Sequence, residues 1–440
     1  MAKGLASIAV SLLLSFAFAS PHPGDRSTDD VLNTVHVTQA TRRLTLDIST
    51  FPGDLDRARR LASRLAAPIG TATALPVHHS AEYLAEVKAG GHRYALMIDT
   101  GSSDTWFVKD GFQCLISPHC NLGPAFKGEF PGGQIEVEHL NISYGGDVGA
   151  FLNGQMGYSE YEIFVLYPYT SQSNLPSLTV AGVTVAKQQI ALATVGAWPG
   201  DGISSGILGL GLPALTNSFK STHPSEDGLQ SLAPYSPIIT TLTNQIGKHI
   251  FSLGLSRNES ESFLAFGGVP QHVKVGNYTR VPIEKMPKAF GGEDYFYYAL
   301  TPEGMYWGSS SGMVEKKEGM PQVIVDSGTT LNVFSHEIAQ SINARYDPPA
   351  TYSKSLNGWF VPCNAVPPSF GIQIGGQIFW ADASSMVLPQ VIDVETGYCA
   401  TGIGATDASL YILGDVFMQG IVAVFDVGQR MEMRFAKRSG

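Results

Sequence analysis

Two stretches of the chain carry residues suited to acid–base chemistry, in the same order. Leu96 to Phe107 reads LMIDTGSSDTWF, and Val323 to Phe334 reads VIVDSGTTLNVF. In each, an apolar run ends on an aspartate, followed by a hydroxyl residue, a glycine and a further hydroxyl residue: Asp99-Thr100-Gly101-Ser102 and Asp326-Ser327-Gly328-Thr329. One such triplet is weak evidence, because a hydroxyl beside an aspartate commonly satisfies the backbone of a turn. Two copies, each leaving an apolar run, are far more specific. Two carboxylates at one site resist double ionisation, so one pKa rises, the other falls, and the pair shares a proton over an acidic window. One member can then activate a water as general base while the other polarises a carbonyl as general acid. Gly101 and Gly328 are expected to let the chain turn tightly and aim backbone N–H groups at the carboxylates. Ser102 and Thr329 are expected to add hydroxyl donors.

Such chemistry needs elements that bring the two aspartates together. Ile207-Leu208-Gly209 follows Asp99, and Ile412-Leu413-Gly414 follows Asp326 at a similar distance. A buried glycine admits close approach of another backbone. Two halves of similar plan then place the aspartates symmetrically about a pseudo-dyad. From Tyr83 onward the pattern is all-β, with short apolar or alternating runs at 83–88, 95–98, 135–144, 178–185 and 189–194 among many Gly and Pro residues. Two short helices are expected. One runs from Pro237 to Gln245, with proline at its start, and one from Glu337 to Tyr346, capped by Ser335.

Bulk properties narrow the class. The chain has 440 residues, of which 44% are hydrophobic and 15% charged, so it can bury a sizeable core and is not a disordered tail. Its formal charge of -10 argues against nucleic acid as a partner. Residues 1–19 read as a secretory signal, with Lys3, an apolar run from Leu5 to Phe18 and a small-x-small site at Ala17-Phe18-Ala19. In an oxidising compartment the four cysteines, Cys114, Cys120, Cys363 and Cys399, suggest two disulfides, and their spacing fits no common zinc site. Asn141, Asn258 and Asn277 head sequons open to glycosylation. Residues 20–73 lack Cys and Trp and carry Arg57, Arg59, Arg60 and Arg64. They are read as a prosegment in which one of these arginines guards the carboxylate pair, or in which the arginines, with the dibasic Arg59-Arg60, serve only as a processing signal. A lobe over 74–272 and a second over 273–440 complete the expected organisation.

These motifs resemble those of the pepsin-like aspartic endopeptidases of the secreted fungal kind, whose paired carboxyls are the standard example of a shared proton. The likeness covers most of residues 80–436. Asp99 to Ser103 and Asp326 to Thr330 resemble the two active-site loops of that family. Asn141-Ile142-Ser143-Tyr144-Gly145 resembles its flap, with Tyr144 as the flap tyrosine and Trp106 as its hydrogen-bonding tryptophan. Gly206 to Gly211, Ile412 to Asp415 and Phe425-Asp426 resemble further family segments. The resemblance implies an all-β, bilobal fold with a central cleft, and acid-dependent hydrolysis of internal peptide bonds with a preference for hydrophobic residues around the scissile bond. It also implies pairing of Cys114 with Cys120 and of Cys363 with Cys399. It implies no cofactor and no metal, protein or peptide substrates, a monomer, and a secreted or vacuolar location without a stable membrane anchor. Two departures stand out. Gly146-Asp147 follows the flap pair where the family often has a hydroxyl or acidic residue and then glycine. No lysine occurs between Ala19 and Lys88, where pepsinogen-like precursors use one to neutralise the pair.

Two rivals follow from other features. Gly202-Ile203-Ser204-Ser205-Gly206 matches the nucleophile elbow of serine hydrolases, which requires a strand, a sharp turn and then a helix. A pepsin fold that binds partners without catalysis is the other, and retention of both aspartates, both glycines and Tyr144 weighs against it.

Overall fold

In a computed structural model the described residues are 71–72, 74–77, 82–116, 120–145, 150–159, 161–163, 185, 188–221, 223–288, 291–308 and 314–438. The expected signal, nearly all of the expected prosegment with its four arginines, and most of the expected strand at 178–185 lie outside them.

The architecture is β-rich with a few short helices, as the composition and periodicity predict. Strands form at Glu82–Ala89, His92–Asp99, Gln134–Ser143 and Gln188–Ala197, where apolar runs or alternation were expected. The strand His92–Asp99 is buried on both faces along its last six positions, which is why it reads as an apolar run rather than an alternation. The strand Gln134–Ser143 alternates near its end, with Leu140 and Ile142 buried and His139, Asn141 and Ser143 facing outward. Helices span Ile238–Ile246 and His336–Asn343. The first buries Ile238, Ile239, Leu242 and Thr243 and stops at Gly247, which takes a left-handed conformation at φ 63°. In the second, the Ser335 side chain accepts from the Ile338 N–H, the expected cap. It ends at Asn343, short of the expected Tyr346, just before the segment leading to Asp347-Pro348, where the residue before a proline disfavours helix.

Most of the first half belongs to one 10-stranded sheet that holds His92–Asp99, Trp106–Cys114, Gln134–Ser143 and Gly206–Gly209. The second half distributes its strands over smaller sheets, one of which holds Val323–Val325, Asn332–Phe334 and Tyr411–Leu413. A 6-stranded sheet joins the halves. It pairs Ile250–Gly254 with Ile421–Asp426, and Phe251 stacks on Phe425 with ring centroids 4.5 Å apart. Its edge strand, Thr71–Ala72, pairs with Leu264 and Ala265 and lies on the prosegment side of the expected boundary at 73/74. The main core draws on both halves, so neither aspartate rests on a separately packed unit.

Candidate active site

The two aspartates leave their strands in matching environments. Ile207 pairs with Met97 and Leu208 with Ile98 in parallel register, and Gly209 lies opposite Asp99. In the second half Ile412 pairs with Ile324 and Leu413 with Val325, also in parallel, and the Asp326 N–H donates to the Leu413 carbonyl at 3.0 Å. Each Ile thus stands opposite the residue two before its Asp. The glycines that end these triplets sit where backbone crosses backbone. A side chain on Gly209 would lie 2.6 Å from the Ser103 carbonyl carbon, and one on Gly414 would collide with the carbonyl oxygens of Thr329 and Leu331.

Both carboxyls receive the donors that the motif predicts. The Gly101 N–H donates to Asp99 Oδ1 at 2.8 Å, and the Ser102 hydroxyl donates to Asp99 Oδ2. The Gly328 N–H donates to Asp326 Oδ1 at 2.8 Å, and the Thr329 hydroxyl donates to Asp326 Oδ2 at 2.7 Å. The two side chains are also within hydrogen-bond reach of each other. Both are buried. Burial pushes the Asp99 carboxyl above the usual range, while its hydrogen bonds pull the other way. Burial, followed by the charge of Asp99, pushes Asp326 well above that range. Both carboxyls are held above the usual range, so the pair keeps one shared proton into the acid range.

The halves are locked beneath the pair by two residues that the sequence reading did not single out. The Thr100 hydroxyl donates to the Val325 carbonyl at 2.9 Å and accepts from the Ser327 N–H at 2.9 Å. Reciprocally, the Ser327 hydroxyl donates to the Ile98 carbonyl at 2.9 Å and accepts from the Thr100 N–H at 3.2 Å. Both hold the second position of the doubled motif, which was the available signal.

Trp106 and Tyr144 meet as the resemblance implies. The indole N–H donates to the Tyr144 hydroxyl at 2.8 Å, and both rings are buried. Trp198, another residue not foreseen, packs against both, with centroids 5.2 Å from Trp106 and 5.3 Å from Tyr144. Gly145 turns the chain after Tyr144 at φ 77°, and Gly146-Asp147 lie outside the described residues.

The remaining candidates divide. Cys114–Cys120 and Cys363–Cys399 are both disulfide-bonded. Asn258 and Asn277 are exposed, whereas the Asn141 amide is committed inside the fold: it donates to Asp227 at 2.6 Å and to the Pro224 carbonyl at 3.3 Å. Among the described residues no cluster of His, Cys, Asp and Glu is suited to a metal ion. The serine-hydrolase rival fails on local structure. Ser204 is buried, and the Gly206 that closes its motif begins the strand Gly206–Gly209, not a helix.

Comparison with known proteins agrees with this geometry. The family description "eukaryotic aspartyl protease" matches residues 172–438. A probable aspartic-type endopeptidase of Aspergillus fumigatus is 32% identical over 384 residues, covering 83% of this chain and 81% of that protein. The chain belongs to the eukaryotic aspartyl protease family. Penicillopepsin-3 of Penicillium janthinellum is 26% identical to this protease over 369 residues, covering 82% of the chain and 80% of the relative. The crystal structure of an aspartic proteinase from Irpex lacteus superposes with a TM-score of 0.58 at 19% identity, covering 84% of this chain and 97% of that one, and supports the bilobal pepsin-like fold. The protease is thus an aspartic-type endopeptidase that hydrolyses peptide bonds with two aspartates, and the non-catalytic binding-protein alternative is set aside. Its substrates are proteins or peptides. Likeness to the fungal relatives supports a secretory-pathway or extracellular location.

Proposed function

We propose that Asp99 and Asp326 are the aspartates that carry this hydrolysis. The observation that bears the proposal is their mutual contact in matched hydrogen-bond cradles at the junction of the two halves. The ionised carboxyl of the pair takes a proton from a water held between the two. The other donates the shared proton to the peptide carbonyl oxygen as the water oxygen attacks the carbonyl carbon. A tetrahedral diol forms. The carboxyl that took the water proton passes it to the nitrogen, the other takes back a diol hydroxyl proton, and the C–N bond breaks to release amine and carboxylic acid with the shared proton restored. Water is the nucleophile, so no acyl-enzyme forms.

Tyr144 and Gly145 act as the flap in this reading. An extended peptide lies under them and hydrogen-bonds to the flap backbone, with Trp106 fixing the tyrosine. Gly101, Ser102, Gly328 and Thr329 set the carboxyl orientations. The family likeness further supports hydrophobic residues flanking the scissile bond, a monomer, a prosegment over 20–73, and lobes over 74–272 and 273–440. Exposure favours Asn258 and Asn277 over Asn141 as glycan acceptors.

A peptide-library digest at several pH values, with and without pepstatin, tests the assignment. Internal cleavage at acid pH that pepstatin abolishes is expected. Cleavage that persists in pepstatin, with an optimum near neutrality or above, would overturn it.

A further inference from the structure

The outer face of the flap strand Gln134–Ser143 is held by one carboxylate. Asp227 Oδ2 lies 3.0 Å from His139 Nε2 and accepts from Asn141 Nδ2 at 2.6 Å, while its Oδ1 accepts from the Ser221 hydroxyl. The Asp227 side chain is 6% exposed and that of His139 19%, so the carboxylate is largely shielded from water by its partners. Asn141 is tied further: its Oδ1 accepts from Asn153 at 2.9 Å, and its backbone N–H donates to the Asn217 carbonyl at 3.2 Å. Ser218 and Phe219 add a short strand against Leu140 and His139, and Phe219 stacks on the His139 ring.

The other end of the same segment is held by the loop that carries Asp99. Asp104 accepts from the Asn217 N–H at 3.0 Å, from Asn217 Nδ2 at 2.9 Å and from the Tyr235 hydroxyl at 2.8 Å. Asp104 is fully buried. One segment, running from Asn217 to Asp227, is therefore pinned to the first active-site loop at its start and to the flap strand at its end.

We propose that this segment is a strap that sets the height of the flap above Asp99, with Asp104 and Asp227 as its positioning residues. The proposal rests on the reading of Tyr144 as the residue that closes over substrate. His139 and Asn141 stand only five and three positions before Tyr144, so loss of their shared acceptor frees the strand close to its working end. Flap contacts to an extended peptide are made in the bound ground state as well as in the transition state. Their loosening therefore weakens binding and leaves the chemical step nearly untouched. A carboxylate accepts from Asn141 with one oxygen and from Ser221 with the other. An amide in its place keeps one oxygen, and its NH2 group either faces the Asn141 donor or obliges the Ser221 hydroxyl to turn from donor to acceptor.

The experiment uses the full chain, activated in acid, carrying Asp227→Ala, Asp227→Asn or Tyr144→Ala. Kinetics on a cleaved peptide are measured together with pepstatin inhibition and the thermal midpoint. Asp227→Ala is expected to raise KM and the pepstatin inhibition constant by about tenfold while kcat stays within about threefold. Asp227→Asn should fall between it and the unsubstituted enzyme. A lower thermal midpoint with unchanged KM would make Asp227 merely structural and overturn the strap. If Tyr144→Ala raises KM and Asp227→Ala does not, the strap alone fails. If neither moves KM, the flap reading fails and the strap with it. Should Asp227→Ala not fold, the double variant His139→Gln, Asn141→Ser removes the contacts from the flap side and is read by the same outcomes.

Discussion

Gly101 and Asp326 touch across the junction of the two halves: a methyl group on Gly101 would lie 2.5 Å from the Asp326 carboxyl carbon. The relation is reciprocated, since one on Gly328 would lie 2.6 Å from the Asp99 carboxyl carbon. Each glycine therefore leaves room for the other half's aspartate. Gly101→Ala or Gly328→Ala should push the carboxyls apart and lower kcat by about a hundredfold or more, because small displacements of reacting groups cost that much. Steady-state kinetics on folded protein, verified by circular dichroism, check it, and near-normal kcat would mean that the pair tolerates separation.

A second carboxyl pair is buried in the fold. Glu82 and Asp201 are buried within hydrogen-bond reach, and burial, then Asp201, then Asp415 push the Glu82 carboxyl well above the usual range. Burial likewise raises Asp415, helped by Asp326 and Asp99. A folded-state pKa above the unfolded value gives stability that is fully present below the unfolded value and is lost as pH rises through the folded one. The protease should therefore be most stable in acid and weaken toward neutrality. Glu82→Gln should recover part of that loss at neutral pH and little in acid. Thermal midpoints of both proteins across that range are the check, and parallel curves would remove Glu82 from the explanation.

The two disulfides close loops of different size, with separations of 36 for Cys363–Cys399 and 6 for Cys114–Cys120. In the chain-entropy account, the larger loop stabilises by about 1.6 kcal/mol more. Denaturant unfolding of the two double Cys→Ala variants should show the greater loss for the 363–399 pair, and equal losses would contradict the entropic argument.

How much of this was legible in the residues follows from range. The doubled Asp-hydroxyl-Gly motif and the Ile-Leu-Gly echo predicted the two cradles and their symmetry, because each cradle is local: Gly101 and Ser102 serve Asp99 from two and three positions away. Helix starts at Ser335 and Pro237 were legible for the same reason. The Thr100–Ser327 lock was not, since its partners are 227 positions apart and neither periodicity nor turn chemistry encodes such a pairing. Asp104 holding Asn217 was hidden in the same way, at a separation of 113. Asn141 illustrates the converse: a valid sequon by its neighbours, it is occupied by Asp227 from a distant loop.

The central claim is that Asp99 and Asp326 act as one proton-sharing pair. The most direct test is kcat/KM for Asp99→Asn and Asp326→Asn on a single peptide substrate across the acid range, with circular dichroism verifying the fold of each. Either substitution removes the shared proton or the base that takes it, so both variants should lose several orders of magnitude at every pH. A folded variant of either kind that kept more than about a tenth of the unsubstituted kcat/KM would contradict the account.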